Sequence, residues 1–147
     1  MYWIKTVYLE NYNPEWGPLE HHPGNLCADM RAAIPAPIEI APGTMHLVPL
    51  GVKFDMEAGA GFMLFPRSSL AKRGLLGIVG LIDPDYRGEI HAQVFNPSPY
   101  YIDVQPGERI CQLYAVPRER MVFMLIAAEK LSTTTRGAQG FGSTGRI

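Results

Sequence analysis

A chain of 147 residues with 13 Lys and Arg against 14 Asp and Glu carries a formal charge of -1, which excludes the broad basic footprint of a nucleic-acid-binding protein; the length predicts one domain with a real core. The two cysteines, Cys27 and Cys111, lack CxxC or His-rich spacing, which argues against a zinc site and predicts free thiols in a reducing compartment. No apolar run approaches the roughly 18 residues of a membrane span and the first residues lack a basic start with an apolar core, so the expectation is a soluble cytoplasmic protein with no membrane partner.

Tyr2 to Leu9, aromatic and β-branched, predicts a first strand, and Asn11 to Pro18 a surface loop. Leu26 to Ala33 fits a helical turn or a strand, and Ile34-Pro35-Ala36-Pro37 stops any helix there. Ile38-Glu39-Ile40 alternates, Pro42-Gly43 turns, and Met45 to Phe54 supplies one or two short strands. After a turn at Gly59-Ala60-Gly61 comes the apolar run Phe62-Met63-Leu64-Phe65, ended by Pro66. Ser68 to Gly74 is the one place for a short helix, with serine as cap and glycine as stop.

Gly80 to Ile90 packs three acids, an aromatic, a base and two glycines between apolar segments. Pro84 biases Asp83 towards extended backbone at the end of a strand, Gly88 lets the chain turn, and Glu89 to Phe95 alternates like a returning strand, so a β-hairpin is expected. Gln105 to Arg109 turns into a strand over Ile110 to Val116, closed by Pro117. Met121 to Ile126 is apolar at every position, which fits either a central strand covered on both faces or a face that meets another subunit. From Ser132 onward the composition cannot build a core. Short strands punctuated by Gly and Pro predict an all-β fold, with a domain over 1–131 and a flexible glycine-rich arm over 132–147.

Four stretches carry potential chemistry. Arg67 with Ser68 and Ser69 offers a guanidinium and two hydroxyls for an anion; Asp83 to Arg87 offers carboxylates and a ring; Gly107 to Gln112 is polar between glycine and strand. The tail combines Arg136, Ser143, Thr144 and its glycines around Phe141, able to wrap phosphates and stack on a base. With Ala28-Asp29-Met30-Arg31-Ala32 they make an ordered set of five segments, closing with Pro106 to Leu113 and Arg136 to Gly145, and this set resembles that of the trimeric dUTPase family from about Asn25 to Gly145.

The resemblance implies a jelly-roll-like, distorted β-barrel, assembled as a homotrimer with active sites shared between subunits. It implies hydrolysis of dUTP to dUMP and pyrophosphate, which limits uracil in DNA and supplies dUMP for thymidylate synthesis. By the same resemblance Asp83 positions and deprotonates the water that attacks the α-phosphorus. A carboxylate is a weak base, so most of the catalysis would come from alignment and charge neutralisation. Mg²⁺ would ride chiefly on the triphosphate, with Asp29 as a water-mediated partner. Uracil would lie along Gly77 to Ile82, read by backbone groups including those of Gly80 and Ile82, with Tyr86 under the deoxyribose. Arg67, Ser68, Ser69 and Gln112 would contact phosphates, and a neighbour's arm would close the site with Arg136, Phe141, Gly142, Ser143 and Thr144.

Ser69 stands where the family more often has Gly, Pro84 where it has a small or polar residue, and Gly77 where many bacterial members have Asn. The first two features are shared with the related dCTP deaminases. Deamination, alone or in a bifunctional enzyme, needs a general acid/base glutamate at the position of Gln93, and an amide cannot fill that role. A nucleotide-dependent interaction module on the same fold is the third alternative. The four histidines have no metal-ligand spacing and are expected to carry no role.

Overall fold

The computed structural model of the protein describes residues 2–56 and 59–138. Along the chain run β1 (Ile4–Tyr8), β2 (Ala28–Arg31), β3 (Ile38–Ile40), β4 (Met45–Pro49), β5 (Val52–Met56) and β6 (Ala60–Pro66). Then come α1 (Ser68–Lys72), β7 (Leu76–Ile78), β8 (Gly80–Ile82), β9 (His91–Phe95), β10 (Ile102–Val104) and β11 (Arg109–Pro117). The strands form four short antiparallel sheets, β1-β5, β3-β10, β2-β11-β6-β8 and β4-β9-β7, a jelly-roll-like all-β fold as the sequence predicts.

Period-2 patterning builds the core. On β5, Val52, Phe54 and Met56 are buried while Lys53 and Asp55 face outward; on β9, Ala92 and Val94 are buried between His91, Gln93 and Phe95. Phe54 meets Phe62 of β6 with ring centroids 5.1 Å apart. Ile110 and Cys111 are consecutive yet both buried, because the pairing of β11 with β2 slips between Arg109 and Cys111. Such a bulge turns a second residue inward.

α1 is capped differently from expectation. Arg67, not a serine, occupies the N-cap in extended conformation, and no side chain caps the helix. The stop is Gly74, as predicted: at φ +93° its N–H donates to the Ala71 carbonyl (3.0 Å), and Leu75 N–H donates to the Leu70 carbonyl (3.2 Å). Leu70 and Leu75, both buried, supply the apolar contact that accompanies this double closure.

Two other expectations change. The Asp83 loop is not the tip of a hairpin, because β8 pairs with β6 whereas β9 pairs with β4 and β7; the loop crosses from one sheet to another. Residues 121–126 form no strand in this chain, and their six apolar side chains remain 49% to 101% exposed. The sequence reading also leaves out β10, which a buried asparagine makes possible. Asn96 donates to the Ile40 and Tyr100 carbonyls (2.8 and 2.7 Å) and accepts from the Ser98 N–H and hydroxyl (3.0 and 2.7 Å), so the loop into β10 is tied by one fully satisfied side chain. No helix among the described residues is long and apolar enough to cross a membrane.

Candidate active site

The predicted site residues up to Gln112 fall into two groups. The first lies where β2, β11 and the end of β6 meet. Antiparallel pairing sets Asp29 opposite Gln112 and Arg31 opposite Arg109, and Pro66 ends β6 so that Arg67 emerges beside them. Asp29 Oδ1 is ion-paired with Arg67 Nε at 3.1 Å and accepts from Gln112 Nε2 at 3.2 Å, while Arg109 faces its Oδ2 at 3.6 Å. Arg67 also donates to the Arg109 carbonyl (3.3 Å), and Arg31 to the Gly107 carbonyl (2.9 Å). One carboxylate among three guanidinium groups leaves the face net positive, the electrostatics an anionic ligand needs. Ser68 and Ser69 are exposed on the adjoining first turn of α1. Just inside this face, burial pushes the Cys111 thiol up to about 12, with the Asp29 charge adding to the effect.

The second group surrounds the crossing loop. Tyr86 N–H donates to the Asp83 carbonyl (3.1 Å), closing a turn in which Pro84 holds the second position, where a ring-fixed φ is favoured. Pro84 therefore stiffens the turn that presents Asp83. The Asp83 carboxylate is exposed and has no hydrogen bond or ion pair among the described residues. Arg87 donates to the Pro84 and Tyr86 carbonyls (2.7 and 3.1 Å) and pairs with Asp55 at 2.8 Å, so it braces the turn from behind. Glu89 accepts from Asn11 and from the Gly51 N–H (2.9 and 3.0 Å), an anchor for the scaffold.

The Tyr86 ring lies across Gly88, where a Cβ would come within 2.2 Å of the phenolic oxygen, and its hydroxyl donates to the Glu89 carbonyl (3.1 Å). β8 is an edge strand, so one row of its backbone N–H and C=O groups has no strand partner. Between β8 and the outward side of β9 runs a cleft of about 300 Å³ whose lining includes Gly80, Ile82, Asp83, Tyr86, His91 and Gln93. Gly77 is not among its lining residues; its backbone packs so closely on Pro66 that a Cβ there would meet Pro66 Cβ at 2.4 Å and Pro66 Cα at 3.1 Å.

The two groups are far apart within one chain. Phe62 pairs with Ile82, which puts Asp83 beside Gly61 at the start of β6, whereas Arg67 follows its end. Six residues of strand separate them by about 20 Å. Arg136 lies in a turn closed by Gly137 N–H on the Thr134 carbonyl (3.1 Å) and lines neither group's cleft. Phe141, Gly142, Ser143 and Thr144 lie outside the described residues.

Sequence reasoning missed Arg109 and Arg31 as parts of the positive face, the Asp55 to Arg87 brace, and the presence of His91 and Gln93 in the cleft. The last two had a signal: they alternate with buried Ala92 and Val94 on the strand that follows the acidic loop. Pairing Asp55 with Arg87 had none, since 32 residues separate them.

The family model described as dUTPase matches residues 26–145. A deoxyuridine 5'-triphosphate nucleotidohydrolase from Thiobacillus denitrificans is 41% identical over 128 residues, covering 84% of this chain and 86% of the relative. One of the same name from Maricaulis maris is 37% identical over 147 residues, with 97% and 95% covered. Among solved structures, the dUTPase of Staphylococcus bacteriophage 80alpha with dUPNHPP superposes with a TM-score of 0.81 at 22% identity, over 97% of this chain and 98% of that one.

Proposed function

Because the chain belongs to the dUTPase family, we propose that it hydrolyses dUTP to dUMP and pyrophosphate in a site assembled from more than one copy of itself. The separation of the two groups carries this reading. Asp83 is to work at the α-phosphorus while Arg67, Ser68, Ser69 and Gln112 hold phosphates, and in one triphosphate those atoms lie only a few bonds apart. Groups about 20 Å apart on β6 cannot meet one ligand from the same chain. A neighbour's positive face set against this chain's Asp83 cleft satisfies the geometry. The exposed apolar run 121–126 supplies surface for a homotrimer contact.

In that assembly Asp83 accepts a proton from water as its oxygen attacks the α-phosphorus, and the bond to the bridging oxygen of the pyrophosphate leaving group breaks. The carboxylate has no partner among the described residues and is held at the end of a proline-stiffened turn, which favours alignment. Arg67 and Gln112 neutralise and orient the phosphates. Tyr86 supports the deoxyribose and leaves no room for a 2′-hydroxyl. Uracil lies along Gly80 to Ile82 against their backbone groups. Arg136, Phe141, Gly142, Ser143 and Thr144 of an arm close over base and phosphates.

Both Asp29 oxygens already face cationic or amide donors, so Mg²⁺ carried by the phosphates would meet this residue through water. When bound, the ion neutralises charge on the triphosphate. Water, nucleotide and metal all suit a cytoplasmic enzyme. Deamination of dCTP finds no general acid/base at Gln93.

Pyrophosphate release from dUTP, dCTP, dTTP and UTP by the native chain and by Asp83→Asn tests the reading. Selective turnover of dUTP that collapses in the variant is expected; ammonia release from dCTP, or no turnover of any nucleotide, would refute it.

A further inference from the structure

The turn that joins β10 to β11 is tied to all three guanidinium groups of the positive face. Glu108 N–H donates to the Gln105 carbonyl (3.1 Å) with Pro106 and Gly107 at the central positions, and Gly107 has the φ of +74° that a type II turn requires there. The Gly107 carbonyl accepts from Arg31, Arg109 follows the turn directly, and the Arg109 carbonyl accepts from Arg67. Against Gly107 lies the indole of Trp16, so close that a Cβ on the glycine would come within 3.0 Å of Nε1 and 3.1 Å of Cε2 and Cζ2. Trp16 is itself fixed. It ends a single helical turn over Pro14–Trp16, capped by the Asn13 side chain, which accepts from the Glu15 N–H (2.9 Å). Its ring meets that of the buried Tyr12 edge-on at 5.1 Å, and the Tyr12 hydroxyl donates to the Gly17 carbonyl (2.6 Å). Trp16, Arg31 and Arg109 line one cleft of about 270 Å³. Trp16 lies before residue 26, where the family match begins, so a residue outside the five ordered segments holds this turn.

We propose that Trp16 is a positioning residue for the phosphates of the substrate: its indole holds the Gln105 to Glu108 turn, and the turn holds Arg31, Arg109 and Arg67. The inference rests on the reading above that this face binds phosphates. Long cationic side chains lose rotamer freedom when they grip an anion, and a backbone that fixes their partners beforehand lowers that cost. Without the indole, Gly107 is free to move, its carbonyl no longer aims at Arg31, and the phosphates meet cations that must be ordered on binding. The Asp83 cleft stands at the opposite end of β6, so the loss is confined to the phosphate end of the nucleotide.

The test compares the native protein, Trp16→Ala and Trp16→Phe in steady-state dUTP turnover and in its inhibition by inorganic pyrophosphate and by deoxyuridine, with circular dichroism and sedimentation reporting fold and assembly. For Trp16→Ala, KM for dUTP and the inhibition constant of pyrophosphate both rise about fivefold or more, while the inhibition constant of deoxyuridine stays within about twofold of native. Trp16→Phe keeps a ring over Gly107 and retains most of the native values. Should Trp16→Ala not fold, Trp16→Leu, which keeps an apolar side chain without the planar ring, carries the same expectation. The proposal is overturned if the folded variant keeps KM and the pyrophosphate constant within about twofold of native, or if pyrophosphate and deoxyuridine weaken in parallel, which would make Trp16 a general structural residue. A native protein that turns over dUTP but does not respond to pyrophosphate would refute the phosphate reading of the face itself.

Discussion

Gly88→Ala isolates the contact on which the proposed sugar discrimination by Tyr86 depends. A Cβ at this position would lie 2.2 Å from the Tyr86 phenolic oxygen, 2.5 Å from Cζ and 3.0 Å from Cε2, where ordinary contact begins at 3.4 Å. The ring must therefore swing away by at least about 1.2 Å. Its hydroxyl then gives up the bond to the Glu89 carbonyl, a loss of about 1 kcal/mol at an exposed site, so the fold survives with a small drop in melting temperature. Catalysis is more sensitive than stability, because a misplacement of about 1 Å can cost about a hundredfold. Pyrophosphate release should show kcat/KM for dUTP falling about ten- to a hundredfold, with preference for dUTP over UTP reduced. Tyr86→Phe keeps the ring over Gly88 and should retain most of that preference. Unchanged kinetics with both nucleotides in Gly88→Ala would show that the ring has no part in substrate placement.

Two other expectations address stability and the tail. The Cys111 thiol is pushed up from 9.0 to about 12, so the unfolded chain loses this proton first. The stability linked to it is intact below about pH 9 and is lost as the pH rises through about 12; urea midpoints measured across that range should fall less steeply in Cys111→Ala than in the native protein. A chain ending at Thr135 should give a native far-ultraviolet spectrum and melting temperature with severely reduced dUTP turnover, because β11 ends at Pro117 and residues 118–135 are exposed. An unfolded product would instead make the tail a structural element.

The brace behind the Asp83 loop bears directly on the proposed alignment of a water. Asp83 has no side-chain partner among the described residues, but the turn carrying it is closed by a backbone bond, stiffened at Pro84 and held through Arg87 to Asp55, which Lys5 also approaches at 3.4 Å. Exposed ion pairs of this kind contribute little to global stability. Their effect is local, narrowing the positions the carboxylate can visit.

Local chemistry alone determined much of this protein. From β3 onward Gly and Pro mark most strand boundaries because each restricts or frees its own φ, and Gly74 ends α1 for that reason. The five ordered segments, from Asp29 to the glycine-rich tail, declared the family without any knowledge of pairing. Tertiary structure decided the rest, because strand partners and cross-strand registers are set by contacts distant in sequence. Only pairing showed that β8 lies on β6 and not on β9, that Asp29, Arg67, Arg109 and Gln112 form one face, and that this face stands at the opposite end of β6 from Asp83. Register likewise placed Gln93, which the sequence marked only as the counterpart of a deaminase glutamate, between Leu47 and Ile78 in the cleft wall.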